Sequence, residues 1–233
     1  MATQPATATA TKKYQYSTAR LKGHLVLNTE QAKSFSGNRF DNVMTALFVI
    51  DVVARKLAQK LKSFDYQAVA SAVSTKLTDA EKALSDDTAR ISALLGGLAQ
   101  CLPEYDHPQE RAYEITSPEI ARFGALLKAY DHLIMLVDAG WLGGVIESGE
   151  ADAFRQEKHK QINKLVRFLV GTGQAARTKA YASKSLEMKA DLEQADAQEQ
   201  TEKEERKASG FMEPESNDLD AVEQIEARES AIG

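Results

Sequence analysis

Cysteine and long apolar runs are both scarce in this sequence, and each scarcity restricts the class of protein. The single cysteine, Cys101, has no partner for an internal disulfide, which is typical of a reducing compartment. Residues 1–13 lack the apolar stretch of a secretory signal, and the most hydrophobic segment is interrupted by Asp51. We therefore expect a cytoplasmic protein with no membrane partner.

Side chains in the patterns that bind metals or phosphates are also missing. The four histidines are isolated from one another, and there is neither an HExxH pattern nor a cysteine pair for zinc. The glycine cluster at 140–144 lacks the basic residue that a phosphate-binding loop needs. Asp41 and Asp51 lie too far apart on one predicted helix to hold a nuclease metal. We expect no cofactor.

Three remaining candidates for chemistry are better explained as structural residues. Asp131 precedes His132, but adjacent helical side chains point about 100° apart and pair poorly. Cys101 is expected to be a small buried hydrophobe, and Trp141 a core anchor. The acidic residues of 147–150 have no cationic or histidine neighbour and are expected on the surface. The sequence therefore predicts that the protein is not an enzyme.

Charge is distributed unevenly along the chain, although the net charge is only -5. Residues 1–67 contain 10 Lys+Arg and 4 Asp+Glu, a net of +6. Residues 68–186 contain 14 and 15, and residues 187–233 contain 5 and 15, a net of -10. A basic head indicates a polyanionic partner, although solvated surfaces would produce the same counts. The acidic end leaves RNA polymerase or another regulator open as a further partner.

Apolar residues recur at helical spacing over most of the chain after residue 40. Residues 40–61 are apolar almost all round, which indicates a helix buried on several sides. Residues 69–98 follow an a/d seam. A third helix is predicted to begin with Ser117 as N-cap and Pro118 at the first position, and to end at Gly140. Residues 103–116, before it, are predicted to be a loop.

The clearest strand pattern lies near the N-terminus, where polar and apolar residues alternate. Arg20, Lys22 and His24 define its polar face. The opposite face, which we expect to rest on helices, consists of Leu21, Gly23, Leu25 and Leu27. Two copies paired across a dimer axis would form a ribbon that fits the DNA major groove, where Arg and Lys suit guanine. An ordinary edge strand protected by charges is the alternative.

A second candidate site follows this strand. Residues 29–36 are a short helical candidate with Asn28 or Thr29 as N-cap, and the turn Gly37, Asn38 and Arg39 then precedes the long apolar helix. Free N–H groups at that helix start and the Arg39 cation are expected to hold a DNA phosphate. If the strand prediction fails, contact is expected instead from Lys12, Lys13, Arg39 and Arg55.

Residues 17–61 resemble the ribbon-helix-helix DNA-binding fold, an obligate dimer. Two longer stretches carry a second resemblance: HLVLNTEQAKSFSG near the start, and YEITSPEIARFGALLKAYDHLIMLVDAGWLGGVIESGE in the middle. Over residues 20–182 the chain is similar to the AcaB-like family of regulators carried by conjugative plasmids and integrative elements, most clearly in TSPEIARF and WLGGVI. The resemblance implies a transcriptional activator of conjugative-transfer genes that acts through promoter DNA.

These observations predict a mainly α homodimer that binds double-stranded promoter DNA. The expected domains are a flexible arm at 1–13, a ribbon-helix-helix-like unit with one strand per chain at 14–66, a helical domain at 67–182, and an acidic polar helix and disordered tail at 183–233. A structural or adaptor protein of the conjugation apparatus, with a coiled coil over the 69–98 seam, is the alternative from another class.

Overall fold

The computed structural model describes residues 20–55, 58 and 65–182, with the isolated positions 193, 197, 200 and 204. Helices dominate, which confirms the predicted fold class. In chain order the elements are β1 (Leu21–Leu27), α1 (Glu30–Lys33), α2 (Asn38–Phe48), a π-helical segment (Val49–Ala54), α3 (Tyr66–Leu95), a 3-10 turn (Gly96–Gln100), β2 (Gln109–Ile115), α4 (Pro118–Leu142) and α5 (Ser148–Ala182).

Side-chain caps determine where three of the helices begin. The Thr29 hydroxyl accepts a hydrogen bond from the Ala32 N–H at the start of α1, and the Ser117 hydroxyl accepts one from the Ile120 N–H at the start of α4. The Asp65 carboxylate does the same for α3. Each cap satisfies a backbone N–H that the first helical turn leaves without a partner. The predicted caps Thr29 and Ser117 are confirmed.

Helix α4 is the centre of the core. Residues on nearly every side of it are buried, and it packs against α3, α5 and β1. Helix α3 is buried along a single stripe, which comprises Val73, Leu77, Leu84, Ile91 and Leu95, and its largest helix interface is with α4. The apolar seam predicted over residues 69–98 therefore packs against α4 in the core of the same chain.

Helices α2 and α5 approach each other closely because both carry small residues at their contact. A Cβ added to Gly173 of α5 would lie 2.6 Å from the Cβ of Ala46 in α2. The π-helical segment continues α2 without a break, and its Val53 packs in a small cluster with Ala176 and Ala180 of α5. This contact brings the predicted phosphate site at the start of α2 next to α5.

The two strands form an antiparallel sheet within the chain, with Leu21 opposite Ile115 and Leu27 opposite Gln109. Two predictions are corrected here: the described part of the chain has two strands rather than one, and residues 103–116 are not all loop. Strand β2 was missed because the segment QERAYEI has only two large apolar residues on its inner face, so its alternation is weak. A partner strand in the same chain pairs with one edge of β1 without a second copy.

Gly23 is required in the middle of β1 by the residue opposite it. The ring of Tyr113 lies directly over Gly23, and its hydroxyl reaches Gly124 of α4, so that a Cβ at either glycine would overlap the tyrosine. The Tyr113 ring also meets Phe40 of α2 edge-on, with centroids 5.2 Å apart. One aromatic side chain therefore joins both strands to two helices.

Two expectations about burial are wrong. Cys101 is exposed, because it follows the 3-10 turn and lies at the edge of the core. Trp141 is 45% exposed, since α4 continues past the predicted end at Gly140 and its last turn extends beyond the core. The acidic residues Glu147 and Glu150 are exposed, as predicted. Among the described residues, no helix has the length and apolar character needed to cross a membrane.

Candidate nucleic-acid interface

Arg20, Lys22 and His24 lie together on an exposed face of the sheet, as their alternation predicted. Leu25 and Leu27 on the opposite face are fully buried. Leu21 was expected to be covered as well, but it is 70% exposed, because it pairs with Ile115 at the open end of the sheet. We call Arg20, Lys22 and His24 the strand face.

Strand β2 places two carboxylates beside the strand face. Arg20 Nη1 lies 2.6 Å from Glu114 Oε2, and His24 Nε2 lies 3.4 Å from Glu110 Oε2. Lys22 is directly opposite Glu114 in the register. The two formal positive charges are thus balanced by two negative charges. All four side-chain groups in these two pairs are exposed, so each pair contributes at most about 1 kcal/mol and a phosphate can compete for the cation.

The end of β1 is fixed by a buried carboxylate in α4. Asp131 is 3% exposed, and it accepts hydrogen bonds from the Asn28 N–H at 3.0 Å and the Thr29 N–H at 2.8 Å. The Thr29 hydroxyl donates to it at 2.8 Å, and the Asn28 side-chain amide at 2.9 Å. Asp131 therefore has the structural role predicted for it. Which backbone it holds was not visible in the sequence, because more than 100 residues separate the partners.

The predicted phosphate site at 37–39 forms the start of α2. Gly37 is the N-cap, and its carbonyl accepts a hydrogen bond from the Phe40 N–H. Arg111 of β2 donates to the Ser36 carbonyl and pairs with Asp41, a carboxylate in the first helical turn that is 1% exposed. The positive end of α2 therefore already has a negative charge of its own.

Arg39 lies on the side of this turn that meets α5. Its guanidinium carbon is 5.6 Å from the centroid of the Phe35 ring, which in turn lies 4.8 Å from the ring of His159 in α5. Burial lowers the pKa of His159, and the charge of Arg39 lowers it further. The cation predicted to contact phosphate is therefore next to the basic part of α5.

The strongest concentration of positive charge was missed by sequence reasoning. Residues 158–182 of α5 contain six Lys+Arg and no Asp or Glu. Lys158 is buried and pairs with Asp87 at 2.6 Å. Lys160, Lys164 and Arg167 are exposed, and no ion pair or side-chain hydrogen bond joins them to other residues in the described part of the chain. We call these three the α5 basic face; the absence of acidic residues in this segment was the available signal.

Two of the alternative contact residues cannot be placed, and one is paired. Lys12 and Lys13 lie outside the described residues. Arg55 forms an i,i+4 ion pair with Asp51 and lies 5.9 Å from the centroid of the Tyr66 ring. A hydrogen bond to Tyr66 and the charge of Asp51 raise the pKa of Arg55. This cation is therefore already partnered within the chain.

No protein-family model matches the chain, and no curated protein matches it. Among solved structures, it is similar to the crystal structure of selenomethionine-containing AcaB from uropathogenic E. coli. The TM-score is 0.63 at 23% sequence identity, over 77% of this chain and 100% of the AcaB chain. At this level of identity the likeness establishes an AcaB-like fold.

Proposed function

We propose that this chain is a DNA-binding transcription regulator that acts as a homodimer and activates conjugative-transfer genes. The sequence resemblance to AcaB-like regulators suggests the role, and the AcaB-like fold is consistent with it. The observation that carries the proposal is the α5 basic face, because three exposed cations that form no ion pair in the described part of the chain present a surface for a polyanion.

The spacing of the α5 basic face suits a phosphate backbone. Lys160, Lys164 and Arg167 are four and three residues apart, so they lie on one side of the helix. They span about 10 Å along the helix axis at about 1.5 Å per residue. Duplex DNA carries about six phosphates over that length. Half-buried Arg39, beside His159 at the start of the same stretch, adds a fourth cation.

The strand face is proposed to supply sequence preference. Arg20, Lys22 and His24 are exposed donors on a two-stranded ribbon, a shape that the major groove admits. DNA phosphates and guanine acceptors would replace Glu114 as the partner of Arg20 and Glu110 as the partner of His24. The exchange costs little because both carboxylates are exposed and return to water. Phosphate contacts on α5 and base contacts on β1 would then be separate functions.

The test of the phosphate surface is the salt dependence of DNA affinity, measured by fluorescence anisotropy on an unrelated duplex. The triple variant Lys160→Ala, Lys164→Ala, Arg167→Ala should lower the slope of log affinity against log salt by about 2.7 per chain, at about 0.9 per phosphate contact. The matched control is Lys76→Ala with Lys82→Ala on α3, two exposed cations in an acid-containing segment. Equal slopes in the triple variant and the wild type would rule out this surface.

The test of the strand face compares a promoter fragment of the host element with unrelated DNA. Arg20→Ala or Lys22→Ala should abolish the preference for the promoter while dimer mass and circular dichroism stay unchanged. Arg39→Ala should weaken binding to both DNAs alike, as expected for a phosphate contact. Promoter preference that survives in both strand variants would refute the assignment. The coiled-coil adaptor is disfavoured, since its seam packs against α4.

A further inference from the structure

Large apolar side chains are left exposed mainly at one end of the molecule. Seven large hydrophobic residues in the described chain are exposed, and five of them lie where α3 and α4 end. We call this group the apolar pole; its members are Leu94, Leu102, Trp141, Leu142 and Val145. Leu21 and Tyr181, the other two, belong to β1 and the end of α5.

Glycines bring the two helix ends together at the pole. A Cβ on Gly140 would lie 2.8 Å from a methyl group of Leu95, and one on Gly143 would overlap Leu98. The α3 end therefore packs directly on the α4 backbone. Each exposed side chain of the pole is within four residues of one of these contacts, so all five lie at the same end of the molecule. Scattered single hydrophobic residues are normal on a protein surface, whereas several together mark an interaction site.

The segments that contain the apolar pole are acidic. Residues 91–110 and 129–154 contain eight Asp or Glu and no Lys or Arg, although two of the eight, Glu110 beside His24 and buried Asp131, lie at the sheet. Four of the exposed carboxylates are Glu104, Asp106, Glu147 and Glu150. The cation that follows this segment, Arg155, is paired with Asp138 and Asp152, each at 2.6 Å. No ion pair among the described residues neutralises the four exposed carboxylates.

We propose that the apolar pole binds a protein segment in which apolar side chains are flanked by lysine or arginine, such as a basic amphipathic helix. Charge complementarity selects this occupant. Nucleic acid and anionic lipid would be repelled by the acidic rim, and a second copy that presented the same pole would bring like charges together. The proposal does not depend on DNA binding, because it concerns a surface of opposite charge to the α5 basic face.

Trp141 is placed to be the main anchor. Its indole N–H donates to the Ser148 hydroxyl at 3.0 Å, and the Arg155 guanidinium carbon lies 5.7 Å from the centroid of its ring. These contacts hold the half-exposed ring in place, so little side-chain entropy is lost when a partner covers it. Trp141 is also the only tryptophan in the chain, so that its fluorescence reports on this surface alone.

The experiment titrates the full chain with a tryptophan-free leucine and lysine peptide of about 14 residues, long enough to form an amphipathic helix. We expect Trp141 emission to move to shorter wavelength and to become protected from acrylamide. Leu142→Asp should weaken the apparent affinity at least about tenfold, as expected for an interface anchor. The matched control, Leu21→Asp, changes an equally exposed leucine of β1 and should leave the titration unchanged.

Charge is tested separately from apolar contact. Glu147→Lys with Glu150→Lys should weaken binding of the lysine peptide and allow binding of a leucine and glutamate peptide. Equal binding of both peptides by the wild type would overturn the proposal, and so would equal affinity in Leu142→Asp and Leu21→Asp. Protection of Trp141 that rises with protein concentration together with dimer mass would show that a second copy covers the pole, and would also overturn it.

Discussion

The carboxylate of Asp131 holds the end of β1 and the start of α1 on the core, and its removal is expected to destabilise the whole protein. Four donor groups meet its two oxygens: two backbone N–H groups, the Thr29 hydroxyl and the Asn28 amide. The substitution Asp131→Ala would leave all four without this acceptor. Asp131→Asn would keep the shape but replace one acceptor oxygen with a donor amide.

The size of the destabilisation depends on which of the four donors can be hydrated once the carboxylate is removed. Thr29 is 1% exposed, so its N–H and hydroxyl would remain buried without an acceptor, at about 1–3 kcal/mol each. The Asn28 donors are only partly buried and can be hydrated. We therefore expect Asp131→Ala to lower the free energy of unfolding by about 2–6 kcal/mol. Asp131→Asn should cost less, about 1–3 kcal/mol, since one acceptor remains.

The assay is urea unfolding followed by circular dichroism, with hydrogen exchange at the amides of Asn28 and Thr29. The control is His132→Ala, which changes the exposed neighbour and should shift stability by less than about 0.5 kcal/mol. If Asp131→Ala unfolds within about 1 kcal/mol of the wild type, the carboxylate does not hold the strand. Since β1 carries the strand face, the destabilised variants should also lose promoter preference before they lose overall DNA affinity.

Two further predictions concern the sheet and the contact of Phe35 with His159 of α5. Gly23→Val should lower the free energy of unfolding by about 1–3 kcal/mol, although valine favours strands, because the Tyr113 ring occupies the space. A double-mutant cycle tests this: in a Tyr113→Ala background the destabilisation by Gly23→Val should largely disappear. An undiminished destabilisation would contradict the overlap. His159 has a lowered pKa, so the unfolded chain binds a proton more readily; stability should be complete above the ordinary histidine pKa of about 6.5 and fall as pH drops below it. His159→Gln should reduce the change in the urea midpoint of unfolding between pH 7 and pH 5.5. Parallel pH profiles of the midpoint in variant and wild type would count against this.

Local features were well predicted because they depend on neighbours in the sequence. Ser117 and Pro118 begin α4, and Thr29 caps α1, since a cap and the turn it satisfies are three residues apart. The alternation around Lys22 correctly indicated a strand with one exposed face. The prediction failed for β2, where the local signal was weak. The inner side chain Tyr113 of β2 packs against Gly23 of β1 and Gly124 of α4, which are both far from it in the sequence or give no local signal.

The distribution of charge also separates what depends on sequence neighbours from what depends on the fold. Counting by segment assigned the basic surface to the N-terminal part, where the structure pairs Arg20 with Glu114 and Arg55 with Asp51. The cations of the α5 basic face form no ion pairs in the described chain, and that could be known only once the positions of the carboxylates were known. A net charge is a property of the sequence, whereas an available charge depends on which side chains the fold brings within about 4 Å.

The sequence by itself determined that the protein is mainly helical, where most of its helices begin, and that one strand has a polar face, because these depend on periodicity and on caps within a few residues. Only the tertiary structure decided that β1 pairs within the chain, that Asp131 anchors it, and that Trp141 and its neighbours are left exposed. The strand pairing, the Asp131 contacts and the exposure of Trp141 all depend on how residues far apart in the chain are placed relative to one another. Their positions are set by how α4 fills the core.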